Sequence, residues 1–289
     1  MDIPYSPQIA GQKADAPQGK KAGQKARFNN MEMPFYFLSL PMLLFFLLPI
    51  LAIFIKTPFD SLLSNLREEN AAKAIGLSLF TAFTTTAITV VFGTPVAYLL
   101  SQKKSRIYRV VDTLVDLPTV LPPAVAGVAL LMAFGRKGIF ASWLTQYGIS
   151  IPFTTIAVIM AQTFIAAPLF IKSAMISFSG IEKELKQAAA LDGANRWQIF
   201  RYIVLPLSWM GMLSGCVMTW ARALGEFGAT IIFAGNFPGR TQTMPLAIYI
   251  GFEIELNVAL TLSVILITFS FITLVIVKNL LHHRMQIEY

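Results

Sequence analysis

Two ionisable side chains stand where the surrounding sequence is apolar. Arg222 and Glu226 are four residues apart in Ala221-Arg222-Ala223-Leu224-Gly225-Glu226, a spacing that brings side chains together on one helix face. A guanidinium in such surroundings is a ready donor to an anion, and a neighbouring carboxylate would keep it paired while no anion is present. The same pair could instead lock the end of a helix, and both readings stand at this point. Gly225 and Gly228 flank the carboxylate and suit either close helix packing or the lining of a pathway.

Other chemistry is poorly provided for. Cys216 is the single cysteine, so neither an internal disulfide nor a cysteine-based metal site is possible. His282 and His283 are adjacent rather than four apart, so no metal is expected, and no cofactor is expected either. Gly19-Lys20 is followed by Lys21 and has no glycine five positions before it, so there is no loop of the kind that cradles nucleotide phosphates. No catalytic residue is assigned, and the chain is not expected to be an enzyme.

The elements that must position these residues follow from composition. Of 289 residues, 55% are hydrophobic and 13% charged, and the mean hydropathy is +0.63. A soluble domain carries roughly 25% charged residues. The numbers exclude a soluble globular enzyme and a disordered chain, and they imply an all-α membrane protein of about six transmembrane helices. The net charge of +8 is scattered between apolar runs and forms no continuous stripe, so the partner is the lipid bilayer and not nucleic acid.

Residues 1–30 are polar and rich in Gly, Pro, Gln and Lys, and read as a disordered basic cytoplasmic tail. Spans are expected over 35–55, 74–102, 114–134, 153–177, from Ile203 onward, and over 256–277. The third carries Pro118, Pro122 and Pro123, which predict a broken or kinked helix start bordering a cavity. Residues 138–151 and 235–240 read as outer loops. Sixteen lysines and arginines fall in the tail, the 103–109 loop, the 172–201 segment and the C-terminal tail, against six in the alternate loops. This bias places the N- and C-termini in the cytoplasm.

The segment 179–201 is too well designed for a plain connector. Ser179-Gly-Ile-Glu182 has capping-box spacing, and the alanine-rich continuation to Leu191 favours helix. Gly193 supplies a left-handed stop, and Asn195-Arg-Trp-Gln198 offers the N-cap of a second helix. A helix, a sharp turn and a helix would make a docking surface, or an amphipathic loop at the membrane interface.

Gln187-Ala188-Ala189, then Gly193, then Ile203-x-Leu205-Pro206 resembles the EAA motif of the permease subunits of ABC importers, with Gln187 where those families write Glu. Residues 221–249 and Asp116-Leu-Pro-Thr-Val-Leu-Pro-Pro123-Ala-Val-Ala-Gly127 look like the molybdate/tungstate permeases; sulfate/thiosulfate permeases are similar in part.

The resemblance implies a type I ABC importer permease fold with a transmembrane permease domain over 31–289, a core over 74–278 and a coupling loop over 179–201. Its coupling residues would be Gln187, Ala188, Ala189, Asp192, Gly193 and Arg196. The implied function is ATP-driven import of an oxyanion, molybdate or tungstate, across the plasma (inner) membrane of a prokaryote, with sulfate as the alternative. The implied partners are two copies of a cytoplasmic ATP-binding subunit that performs the hydrolysis, a second permease copy and an external oxyanion-binding protein. A polytopic membrane enzyme or a secondary carrier remains the alternative of a different class; either would need paired acids, histidines or a metal cluster in the spans.

Overall fold

The structure, a computed structural model, describes residues 19–285 apart from 67, 103 and 104. It divides into two units, one ending at Ile55 and one beginning at Lys56. The first holds all but the last residue of the helix α1 (Gly19–Lys56), whose Phe35–Lys56 part has a mean hydropathy of 2.7 and is long enough to cross a bilayer. α1 thus takes in residues 19–30 of the stretch expected to be a disordered tail. Lys20, Lys21, Gln24, Lys25, Ala26 and Arg27 are good helix formers that extend a helix already nucleated by the apolar run. Residues 1–18 lie outside the described residues.

The second unit holds α2 (Phe59–Leu66), α3 (Glu69–Gln102), α4 (Arg106–Val120), α5 (Pro123–Phe134), α6 (Ala141–Gln146), α7 (Thr155–Ser179), α8 (Lys183–Leu191), α9 (Arg196–Ile199), a π-turn (Phe200–Val204), α10 (Leu205–Leu224), α11 (Gly228–Ala234), α12 (Met244–Ile254) and α13 (Leu256–Met285). Among the described residues five helices are long and apolar enough to cross a membrane, or six if the bent pair α4–α5 is one span.

α7 is the hub. α3 and α10 pack on two of its sides, with α4, α5 and α11 on the remainder, while α12 and α13 close around α3 and α10. The α7–α10 seam is built from small residues. A side chain at Gly211 would collide with Ser177, one at Gly215 would come within 3.0 Å of Ser173 Cβ, and Ser173 Oγ donates to Gly211 O at 2.7 Å. Gly211 and Gly215 therefore serve packing, as small residues four apart do in membrane helices. Hydroxyls stitch the remaining seams. Thr219 Oγ1 donates to Ala166 O at 3.2 Å, Thr85 Oγ1 to Gln162 Oε1 at 3.1 Å, and Asn65 Nδ2 to Thr261 Oγ1 at 3.1 Å.

The proline-rich third span breaks, as its sequence predicts. α4 and α5 meet at 117° across Leu121 and Pro122, and Pro123 opens α5, where its missing N–H costs nothing. Two other expectations need correction. Ser179 ends α7 instead of capping α8; the N-cap of α8 is Glu182, whose side chain makes no cap bond, so the expected capping box does not form. Met244–Ile254, which falls between the expected spans, is a short apolar helix set against α13 through Gly251 and Ala259.

The broken segments depend on a close approach between α5 and α11. A Cβ at Gly127 would lie 2.8 Å from Ile232 Cβ and 2.9 Å from Ala229 O, whereas one at Gly76 would meet nothing within 4 Å. Gly127→Ala is therefore expected to destabilise by about 1–3 kcal/mol through overpacking. Gly76→Ala should be neutral or stabilise by up to about 1 kcal/mol through helix propensity. Thermal unfolding of the purified chain in detergent should show a lowered midpoint for Gly127→Ala and an unchanged or raised one for Gly76→Ala.

Candidate functional site

The 179–201 loop is built by two helix ends meeting at one glycine. α8 stops in a Schellman arrangement, in which Ala194 N–H donates to Ala189 O at 3.0 Å and Gly193 N–H to Ala190 O at 3.1 Å. Gly193 has φ +88°, a region that suits a residue without Cβ. Asn195 and Gln198 then form a reciprocal capping box at the start of α9: Gln198 N–H donates to Asn195 Oδ1 at 2.9 Å, and Asn195 N–H to Gln198 Oε1 at 2.8 Å. Both features fall where the sequence predicts them.

α8 has no buried residue. Gln187 and Ala188 are exposed together with Leu185 and Ala190, and Leu191 is 89% exposed; Ala189 is half-buried and faces inward. Asp192 is the C-cap of α8 and Arg196 the first residue of α9, both exposed. The loop thus presents a small apolar face, edged by polar groups, with nothing among the described residues packed over it.

Beneath the loop lies an aromatic cluster that the sequence reading did not find. Phe200 meets Tyr98 of α3 at 4.8 Å, Phe178 of α7 at 6.1 Å and Trp197 at 5.7 Å between ring centroids. Lys186 reaches back from α8 to donate to Phe178 O at 3.3 Å. Its partial burial, and to a lesser degree the charge of Lys183, lower its pKa from the ordinary lysine value. The π-turn then carries the chain into α10. Pro206 has no N–H for the next α-helical bond, and the ladder shifts so that Leu205 N–H reaches Phe200 O. The loop is therefore locked onto α3, α7 and α10 while its outer face stays bare.

The intramembrane pair is present in altered form. Arg222 Nη1 lies 2.8 Å from Glu226 Oε2, with the arginine side chain 36% exposed and the glutamate 1% exposed. The two do not share a helix. α10 ends at Leu224, and Gly225 is its C-cap with no close neighbour beyond Ala221 O, so it does not serve helix packing. Glu226 lies in the turn and accepts from Ala229 N–H at 2.9 Å, holding the start of α11 as well as the arginine. A Cβ at Gly228 would lie 2.7 Å from Pro123 Cβ, so this glycine belongs to the contact between α11 and α5. The carboxylate is spent inside the protein, and the arginine side chain stays about one-third exposed.

A second ionic cluster was missed. Lys172 Nζ, within α7, lies 2.5 Å from Asp112 Oδ1 and 2.8 Å from Asp116 Oδ2 of α4. Asp112 and Asp116 are four apart, which was the available signal; counting Lys172 with the loop charges concealed it. Among the described residues no group of His, Cys, Asp and Glu is placed to hold a metal ion, and the side chains of His282 and His283 lie outside the described set.

A hub-and-seam bundle with a broken third span and a bare helical loop is the architecture of a multi-pass membrane protein. Residues 89–286 match the family described as binding-protein-dependent transport system inner membrane component, and the chain belongs to that family. It is 34% identical over 245 residues to a probable transport system permease protein, NifC, of Clostridium pasteurianum, covering 84% of this chain and 86% of that protein. It is 37% identical over 225 residues to the molybdenum transport system permease protein ModB of Mycobacterium tuberculosis, covering 78% and 85%. The fold is shared with a bacterial ABC transporter that imports the acidic polysaccharide alginate. The TM-score is 0.66 at 19% identity, with 92% of this chain and 100% of that chain covered.

Because Gly193 has open space around it and a positive φ, a side chain there costs backbone strain and not collision. Gly193→Val is expected to destabilise the loop locally by about 1–3 kcal/mol, and Gly193→Asn by less. Hydrogen exchange should quicken across 183–199 in the valine variant while α3, α7 and α10 keep their protection.

Proposed function

We propose that this chain is the membrane-spanning permease subunit of an ATP-driven importer that carries molybdate or tungstate into a prokaryotic cytoplasm. The reading has it work as one of two copies in the plasma membrane, each offering its 179–201 loop to one of two cytoplasmic ATP-binding subunits. An external oxyanion-binding protein would deliver the cargo. The N- and C-termini are taken to be cytoplasmic, on the same side as the loop.

The observation that carries the substrate assignment is the extended likeness to a molybdenum transport permease, 37% identical over 225 residues. The bare face of α8, with Leu191 at its tip, supports a protein partner for the loop, since an exposed apolar helix face in water favours being covered. Closure of the ATP-binding subunits would push on α8, and the Phe200, Tyr98 and Phe178 contacts would pass that push to the spanning helices. Molybdate is a tetrahedral dianion, and a guanidinium held by Glu226 yet one-third exposed can offer it N–H donors without first paying to break free.

Two experiments test this reading. In a Cys216→Ser background, a cysteine at position 190 is expected to crosslink to a cysteine on the ATP-binding subunit; a transporting complex that never crosslinks at any tested surface position would remove the loop as the docking element. In reconstituted complexes supplied with labelled molybdate, tungstate and sulfate, Arg222→Ala should cut molybdate uptake about tenfold or more, the loss of one charge-assisted contact. ATP hydrolysis should persist. Sulfate uptake above molybdate would overturn the substrate assignment, and unchanged uptake would leave Arg222 a structural brace.

A further inference from the structure

We propose that Lys172, through its paired contacts with Asp112 and Asp116, is the positioning residue that ties movement of the 179–201 loop to the bent α4–α5 arm. The inference rests on the reading of the chain as an ATP-driven permease and names the contact that would carry its coupling. Apart from the ion pairs, α4 meets the bundle through Tyr108, Val115 and Pro118, while Ile107, Val110, Leu114 and Leu117 are exposed. Its polar face adds both carboxylates on one ammonium, at 2.5 and 2.8 Å.

The triad joins two chains of contact. On the α7 side, Lys172 sits seven residues before the end of the helix; Phe178 then packs against Phe200 and accepts from Lys186 of α8. On the α4 side, the helix turns through 117° into α5, and Gly127 of α5 abuts Ala229, whose N–H is held by Glu226, the partner of Arg222. The triad is also discrete. With the ammonium in place two carboxylates four residues apart are held together; with it withdrawn they repel each other at the edge of the apolar region, and the polar part of the α4–α7 contact is lost. An element with two arrangements between two sites is what coupling requires, and a coupling energy is its proof.

The test uses the complete transporter, with permease, ATP-binding subunit and binding protein in liposomes. It reads molybdate uptake per ATP hydrolysed, beside the yield of assembled complex. Lys172→Met and Asp112→Lys are each expected to lower the ratio about tenfold, within the usual range of a coupling energy. The exchange Lys172→Asp with Asp112→Lys keeps one ammonium and two carboxylates and should restore most of the ratio, as a double-mutant cycle requires of an interacting pair. Asp116→Asn, which leaves the Asp112 contact, should lower the ratio a few-fold and serves if Lys172→Met does not assemble. A ratio unchanged in Asp116→Asn and in assembled Lys172→Met would overturn the proposal and leave a structural brace. So would an assembled exchange variant as uncoupled as the single ones. A wild-type complex that takes up no oxyanion at the expense of ATP would instead sink the functional reading beneath it.

Discussion

Backbone that leaves a helix at bilayer depth must find its hydrogen bonds in protein, because lipid offers none. This chain breaks its helices at Leu121–Pro122, at Gly225–Phe227, over 235–243 and at Glu255. Each break is supplied from within the protein. Leu121 N–H returns to Leu117 O, and Pro122 O accepts from Val125 and Ala126. Phe237 O collects the N–H groups of Arg240, Thr241 and Gln242, while Met244 N–H reaches Ser78 Oγ at 2.6 Å. Pro122, Pro123 and Pro245 lower the number of donors to be satisfied. The small residues follow from the same constraint, for Gly127 and Gly228 let the broken pieces lie on one another where a larger side chain would admit a gap.

Charge obeys a related rule, since an ion kept out of water needs a partner or a wet face. The two clusters meet it differently. At Arg222 the carboxylate is the buried member and is shared with the Ala229 amide, which leaves the cation one-third exposed. At Lys172 the cation is the shared member and two partly exposed carboxylates converge on it. The first arrangement displays a cation; the second consumes one. That asymmetry suits an anion-recognising group in the first case and a contact between helices in the second.

The loop divides rigidity from availability within about twenty residues. Its inner side is fixed by aromatic contacts and by the Lys186 bond to Phe178, and its turn by the positive φ of Gly193. Its outer side carries Leu185, Ala188 and Leu191 with no covering contact among the described residues. A surface that is stiff toward the membrane and bare toward solvent can transmit a push with little loss to its own deformation. A flexible connector would absorb it.

Much of this was legible along the chain, because its causes are local. Apolar runs longer than a bilayer need no partner to be recognised, a proline cannot donate whatever surrounds it, and Asn195 caps α9 with atoms three residues away. Gly193 announced its turn for the same reason. Tertiary structure decided what depends on residues distant in sequence. Glu226 looked like a helical partner of Arg222, but Pro123 of α5 meets Gly228, and the chain turns there to seat α11. Lys172 looked like one more loop charge until α4 brought Asp112 and Asp116 across sixty residues to meet it. Ser179 had the spacing of a cap, yet α7 runs on to include it. Spacing reports neighbours along the chain; which charge finds which, and where a helix must stop, depend on surfaces that exist only once the bundle has packed.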